Sequence, residues 1–434
     1  MLDLRPLRSA SFRHLAGAYW VNEFGNWIGE IALTILTYDR THSPLATAAF
    51  FLSVRFLPAL LAPVLTARLE TLRPRVVLAA LYLLEAAFFA GLAVLTHHFS
   101  LPAVFVLGAL DAVLAITAKA LTRGATATGL TRAGLLREGN AIMNLGVVAA
   151  TAGSPVIAGA IVAWKGAGTA LVLDAITFVL TALIIASAPG ITVAHDRDAS
   201  FGTRARAGVT LLRHHVAVRR LMIVNALFWA FASVAIPIEV VFAVTTLHAG
   251  DSGYGFLLGA WGVGTVLGGA AFAALPELPL ITVLGVGLAL VAAGYAGLAA
   301  APSLAVACAG SFVGGTGNGC GWIALVTAVQ ERIPTSTQSA VMAILEGVTQ
   351  LMPAVGFAAG GLVTELTSPR AAYAVSAGGV ALVALTLALR PIDRVRLTFP
   401  QDQDAGPETD DQTHRAQENQ AACRTREARR LTLG

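Results

Sequence analysis

Apolar runs long enough to cross a bilayer recur twelve times along this chain, at about 14–38, 45–66, 75–96, 101–122, 138–163, 167–188, 221–247, 253–275, 280–300, 303–328, 339–364 and 370–390. About 20 helical residues cover the ~30 Å of hydrocarbon in a membrane, so the pattern predicts an all-α integral membrane protein with twelve transmembrane helices. The longest break, residues 189–220, divides these spans six and six. The predicted organisation is an N-terminal six-helix bundle over 1–188, a cytoplasmic linker over 189–220, a C-terminal bundle over 221–395 and a polar tail over 396–434. The tail (QDQDAGPETDDQTHRAQENQ) has the composition of a disordered segment. In the linker, FGTRARAGVTLLRHHVAVRR reads equally as an amphipathic helix on the inner leaflet and as a solvated basic connection.

Composition supports that class. The chain is 56% hydrophobic and 12% charged, with a mean hydropathy of +0.72, whereas soluble domains carry about 25% charged residues. The net charge of +4 is scattered among loops rather than gathered into a stripe, which argues against nucleic-acid binding. With the N-terminus inside, the inner segments up to residue 400 carry 20 Lys plus Arg, and the outer loops only Arg40, Lys165 and Arg370. That asymmetry predicts a multi-pass protein of the cytoplasmic membrane with both termini in the cytoplasm. The N-terminus, MLDLRPLRSASFRHL, is basic but shows no small-residue cleavage site, so it reads as retained. Cys308, Cys320 and Cys423 form no metal spacing and no even set, so neither a disulfide framework nor a metal site is expected.

Within the first run, Glu23 and Glu30 are seven residues apart. A charged side chain at the centre of a membrane helix costs about 2.5–3.5 kcal/mol on insertion scales, so such residues face a cavity or a partner. At 100° per residue, Tyr19, Glu23, Asn26, Glu30, Thr34 and Thr37 fall within about 60° of Glu23, giving one polar stripe on an apolar helix. The two carboxylates are about 10 Å apart along the axis. They are candidate proton-exchange sites; the alternative is hydrogen bonding between packed helices. Counting from the helix ends puts Arg55 between them in depth, and it is expected to pair with Glu30 or Glu23.

Glu85, Asp111, Glu239 and Glu346 are the other deep acids, while Asp174, nearer the outer end, is expected to hydrogen-bond a neighbouring helix. A shift of 209 residues overlays Ser43 on Ser252 and Glu30 on Glu239, as expected for parallel repeats around a central site. Trp27, Trp229, Trp261 and Trp322, with Asn22, Asn225, Asn318 and Gln350, complete a largely apolar set that suits an amphipathic or cationic organic molecule. Gly25-x-x-x-Gly29, Gly255-x-x-x-Gly259, Gly264-x-x-x-Gly268, Gly310-x-x-x-Gly314 and Gly356-x-x-x-Gly360 predict close helix contacts.

The stretch FRHLAGAYWVNEFGNWIGEIALTILTYDRTHSPLATAAFFLSVRFLPALLAPVL resembles the opening of the major facilitator superfamily, in particular its drug:proton antiporter group of macrolide and siderophore exporters. REGNAIMNLGVVAATAGSPVIAGAIV, LVLDAITFVLTALI and VQERIPTSTQSAVMAILEGVTQLMPAVGFAAGG extend the resemblance to about residues 10–390. It implies rocking of two halves around a central cavity, with Gly153, Pro155 and Gly159 as the bending motif of span five. Pro155 frees a backbone carbonyl there. The loop TARLETLRPR keeps Glu70, Arg73 and Arg75 where the family carries latch charges between the halves, but lacks the family's glycine. The family's base inside span four is replaced by Asp111, with Lys119 lower down.

The resulting expectation is a monomeric secondary transporter that exports a small organic compound in exchange for protons. The pathway residues are Glu23, Asn26, Trp27, Glu30, Arg55, Asp111, Asn225, Glu239 and Glu346. A metabolite uniporter or importer, or a transporter-like sensor that moves nothing, are the alternatives. There is no His-Glu-x-x-His, Gly-x-Ser-x-Gly or P-loop, so no enzymatic activity, catalytic residue or cofactor is expected beyond the proton gradient as energy source.

Overall fold

The computed structural model describes residues 4–69, 72–131, 133–191, 215–274, 277–333 and 335–389. The linker up to residue 214, Glu70 and the tail lie outside the described residues. Six helices come first: α1 (Ala10–Thr41), α2 (Pro44–Leu69), α3 (Pro74–Leu95), α4 (Leu101–Thr131), α5 (Leu136–Lys165) and α6 (Ala167–Ser187). After the linker follow α7 (Val216–Ala232), α8 (Gly250–Ala274), α9 (Leu280–Ala300), α10 (Leu304–Gln330), α11 (Thr335–Leu351), α12 (Pro353–Leu366) and α13 (Pro369–Leu389). Among the described residues, 11 candidate spans are long and apolar enough to cross a membrane. The 32-residue α1, which carries the polar stripe, adds another full-length helix. Several helices outrun their apolar segments, α4 reaching Thr131, because a helix continues past the hydrocarbon into the interface.

Two spans read as continuous in sequence are broken. After α7 the chain passes through a 3-10 turn (Ile236–Ile238), one α-turn (Glu239–Val241) and a π-turn (Phe242–Thr246). Pro237 explains the first irregularity: it has no N–H, and its ring clashes with the carbonyl four residues earlier, so an α-helix cannot run through it. Glu239 therefore starts a fresh turn in mid-span. Span eleven breaks in the same way at Pro353, the first residue of α12. His42, ending α1, and His248, ending the seventh span, both adopt left-handed backbone (φ 49° and 53°).

Hydrogen bonds between helix ends fix the two faces of the bundle. At the end nearest the N-terminus, Ser11 donates to Pro189 O and Arg75 donates to Ala186 O. At the opposite end, Arg40 donates to Thr96 O (2.6 Å), and Arg370 donates to Ala299 O and Ala301 O (both 2.7 Å).

The two six-helix halves meet near this opposite end. Phe51 on α2 packs on Phe357 of α12 with ring centroids 5.6 Å apart. On α5 and α8, Gly159 and Gly255 touch backbone to backbone: a Cβ on Gly255 would stand 2.5 Å from Pro155 O and 3.1 Å from Gly159 Cα. Only glycine permits that approach. Pro155 lies inside α5 and its carbonyl faces Gly255, whereas Gly153 has open space around it.

Candidate functional site

The polar stripe of α1 points into the protein, with Tyr19, Glu23, Thr34 and Thr37 buried and Asn26 and Glu30 half-buried. Of the two carboxylates expected as partners of Arg55 it is Glu30 that takes it, and Glu23 pairs instead with α4, where Lys119 Nζ lies 2.6 Å from Glu23 Oε1. Lys119, further along α4 than Asp111, thus lies level with Glu23 of α1. Tyr19 completes this cluster. Its ring lies 5.6 Å from Lys119 Nζ, within cation–π reach, and its hydroxyl accepts from Arg123 Nη2 at 3.2 Å.

Seven residues further along α1, Arg55 Nη2 lies 2.5 Å from Glu30 Oε1. These side chains are 45% and 30% exposed, so this pair borders open space, whereas the Glu23 carboxylate is closed off. Thr34 donates to the Glu30 carbonyl (2.7 Å) and stands beside Tyr254 of α8. Tyr254 in turn interacts electrostatically with Glu30, Arg55 and Glu239. The buried Tyr254 thereby connects the Glu30–Arg55 pair of one half with Glu239 of the other.

Glu239 is 6% exposed and takes part in no ion pair among the described residues. The turn that it begins after Pro237 packs on α1 and α8, and Glu239 interacts electrostatically with Tyr254 of α8, Tyr295 of α9 and Tyr373 of α13. Behind it stands an aromatic wall: Trp261 stacks on Tyr295 at 5.6 Å, Tyr295 meets Tyr373 at 6.2 Å, and Phe242 meets Tyr373 edge-on at 4.9 Å. The Tyr295 hydroxyl donates to Ala232 O, while that of Tyr373 is buried without a partner among the described residues.

A second acidic group lies inside the first half. Glu85, Asp111 and Asp174 are buried and close enough to repel one another when charged. Both oxygens of Glu85, Oδ1 of Asp111 and Oδ2 of Asp174 have no hydrogen-bond partner among the described residues. The helix-to-helix hydrogen bond expected of Asp174 is replaced by one to Thr177 of its own helix (3.0 Å), and its carboxylate packs on the glycine seam Gly25 and Gly29 of α1. No group of three His, Cys, Asp or Glu among the described residues is arranged to hold a metal ion.

The other predicted residues are dispersed. Asn225 is buried and donates to Thr349 Oγ1 (3.0 Å) within its own half. Glu346 is exposed and accepts from Gln350 one turn away (3.0 Å). Trp27 packs half-buried against the core. Of the expected latch charges, Arg75 is bonded to α6 of its own half rather than across the halves, Arg73 is exposed at the start of α3, and Glu70 is outside the described residues. Sequence reasoning missed the Lys119 pairing and Tyr254. Lys119 carried one signal, being one of only two lysines in the chain.

The sequence pattern of the transmembrane secretion effector family, one of the major facilitator families, matches residues 2–417. The chain belongs to that family. It is a major facilitator transporter, and its relatives by family and fold are transporters rather than enzymes. No curated protein matches it by sequence. Its fold resembles a point mutant of the nucleoside transporter NupG, with a TM-score of 0.72 and 14% identity over 87% of this chain and 99% of that one. A bacterial homologue of the iron transporter ferroportin, in an inward-facing state, gives a TM-score of 0.67 at 17% identity over 89% and 99%. A bacterial homologue of the human lysosomal transporter Spinster, inward-facing and unoccupied, gives 0.66 at 13% over 87% and 95%. In a transporter of this fold, the group formed by Glu30, Arg55, Tyr254 and Glu239 occupies the interface of the halves, where substrate sites lie.

Proposed function

We propose that this transporter exports a small amphipathic or cationic organic compound in exchange for protons, in the cell membrane with both termini in the cytoplasm. The observation that carries this reading is the Glu30–Arg55 pair facing Glu239 around Tyr254. Arg55 balances one carboxylate, which leaves Glu239 as a buried acid with no counter-ion among the described residues at the meeting of the halves. An acid without a fixed counter-ion accepts either a proton or a cationic cargo, and competition between the two is what exchange requires. The aromatic wall offers apolar and cation–π contact to the rest of such a cargo. Rocking then opens the Gly159–Gly255 seam at one end and closes the other.

The test is flux in proteoliposomes under an imposed pH gradient, with an organic cation such as ethidium as probe. A one-unit gradient supports about tenfold accumulation for one-to-one exchange of a proton for a neutral cargo or an electrically balanced cation, by the usual 1.4 kcal/mol per decade. The wild-type protein is expected to accumulate probe and to lose the gradient on adding an uncoupler. Glu239→Gln is expected to abolish accumulation while folding normally. Unchanged accumulation in that variant would refute the role of Glu239, and wild-type flux indifferent to the uncoupler would refute proton exchange in favour of a uniporter.

A further inference from the structure

At the bundle end opposite the N-terminus, a cavity of about 1010 Å³ opens between α3 and α6, with the last turn of α1 as its third wall. Its depth is apolar. Ala86 and Ala90 of α3 form a row of small residues that hollows the helix surface, facing Val172, Ala175, Ile176 and Val179 of α6. Ala90, Val172, Ile176 and Val179 are exposed, so this wall faces the bilayer rather than the protein core. Its mouth is charged, lined by Asp39, Arg40, His97 and Lys165.

The dimensions match one leaflet. From Ala167 to Val179 α6 rises about 18 Å, compared with about 15 Å for half the hydrocarbon core. Trp164, 79% exposed, stands beside the mouth with Lys165 Nζ 4.5 Å from its ring centroid. An exposed Trp paired with a Lys marks the membrane–water interface.

The charges at the mouth are unusual for this end of the molecule. Of the three bases in the loops on this side, Arg40 and Lys165 both converge on this cavity. Arg40 spends one N–H on Thr96 O, and its guanidinium has four more donors. The acid that lines the mouth with these two fixed positive charges is Asp39, whose carboxyl burial and the nearby Asp251 push up to about 6, with His42 and Arg40 pulling it down.

We propose that this cavity is a binding site for one anionic phospholipid of the surrounding leaflet, its phosphate held between Arg40 and Lys165 and one acyl chain laid along the α3–α6 groove. A zwitterionic lipid satisfies the groove but brings its own cation to a mouth that already has an excess of them. The site is separate from the Glu30–Glu239 group and does not depend on the transport reading.

The test is native mass spectrometry of the full-length protein released from nanodiscs holding equal phosphatidylglycerol and phosphatidylcholine. One phosphatidylglycerol is expected to be retained in preference to phosphatidylcholine by about five-fold per base, the ratio that ~1 kcal/mol per surface Lys or Arg corresponds to. Arg40→Gln with Lys165→Gln is expected to bring the two lipids to parity. Ala90→Trp, which fills the groove and leaves both bases in place, is expected to abolish retention, with thermal melting confirming that both variants are folded. Equal retention of the two lipids by the wild-type protein overturns the proposal. So does preferential retention that survives either variant.

Discussion

Removing Lys119 while leaving Glu23 tests the electrostatic logic of α1 most directly. The Glu23 side chain is 7% exposed and Lys119 is its ion-pair partner at 2.6 Å. Deleting one member of a buried pair costs about 3–5 kcal/mol, because the other charge is left uncompensated. Lys119 is itself 40% exposed, which admits solvent to one side and lowers the expected loss to about 2–3 kcal/mol for Lys119→Ala. Replacing both partners by neutral residues of similar shape, Glu23→Gln with Lys119→Met, removes the charge and its counter-charge together, and such replacements are often near neutral. The assay is a double-mutant cycle read by thermal melting in detergent: wild type, Glu23→Gln, Lys119→Met, and the pair, with Lys119→Ala alongside. A single change at Lys119 is expected to lower the midpoint by several degrees and the double change to recover most of it, a coupling of at least about 1 kcal/mol. Additive losses across the cycle would show that the pair is a surface contact of no energetic consequence, and the reading of Glu23 as a closed-off, structurally paired carboxylate would fall.

Glu85 makes the opposite prediction: it is fully buried with neither oxygen bonded among the described residues, so Glu85→Met should raise the stability by about 1–3 kcal/mol, read as a higher melting midpoint, and a loss would show a partner at that position. Gly255→Val should force α8 away from Pro155 O and Gly159, lengthening spin-label distances between the outer ends of α5 and α8; unchanged distances would mean the seam is loose. Asp39 supplies a pH dependence. Its raised value of about 6 means that its charge burdens this closed conformation above pH 6 and is relieved as the pH falls through 6. Contact between α1 and α8 at that end should therefore tighten between pH 7 and 5 in the wild-type protein and lose that dependence in Asp39→Asn.

The division of labour among the acids follows from what each helix can bring to them, and this explains how much of the site was legible in sequence. The α1 stripe was readable because a 100° repeat places Glu23, Glu30 and Thr34 on one face whatever the neighbours are. The depth of Arg55 was readable because α2 returns from a short turn at His42 and Ser43, so residue counting is reliable over one hairpin. Pairing across four helices was not, because it depends on the rotation of α4 about its own axis, which residue counting leaves undetermined, and Lys119 therefore went unassigned to Glu23. The same limit applies to Glu346, where counting sets the depth but not the exposure of the side chain. Glu239 is the informative case between these. Its counterpart relation to Glu30 came from a shift of the sequence on itself, but its role depends on Pro237, which breaks the seventh span and starts a new turn at the acid. Glu23 and Glu30 each hold a base, so their charges are balanced within the first half. Glu239 holds none among the described residues, and it shares Tyr254 with the Glu30 pair across the interface. Any motion that separates the halves must change the surroundings of Glu239 and Tyr254, while the Glu23–Lys119 pair is carried along intact. A carboxylate whose environment changes with the motion can couple ion binding to it, whereas one whose counter-ion travels with it cannot.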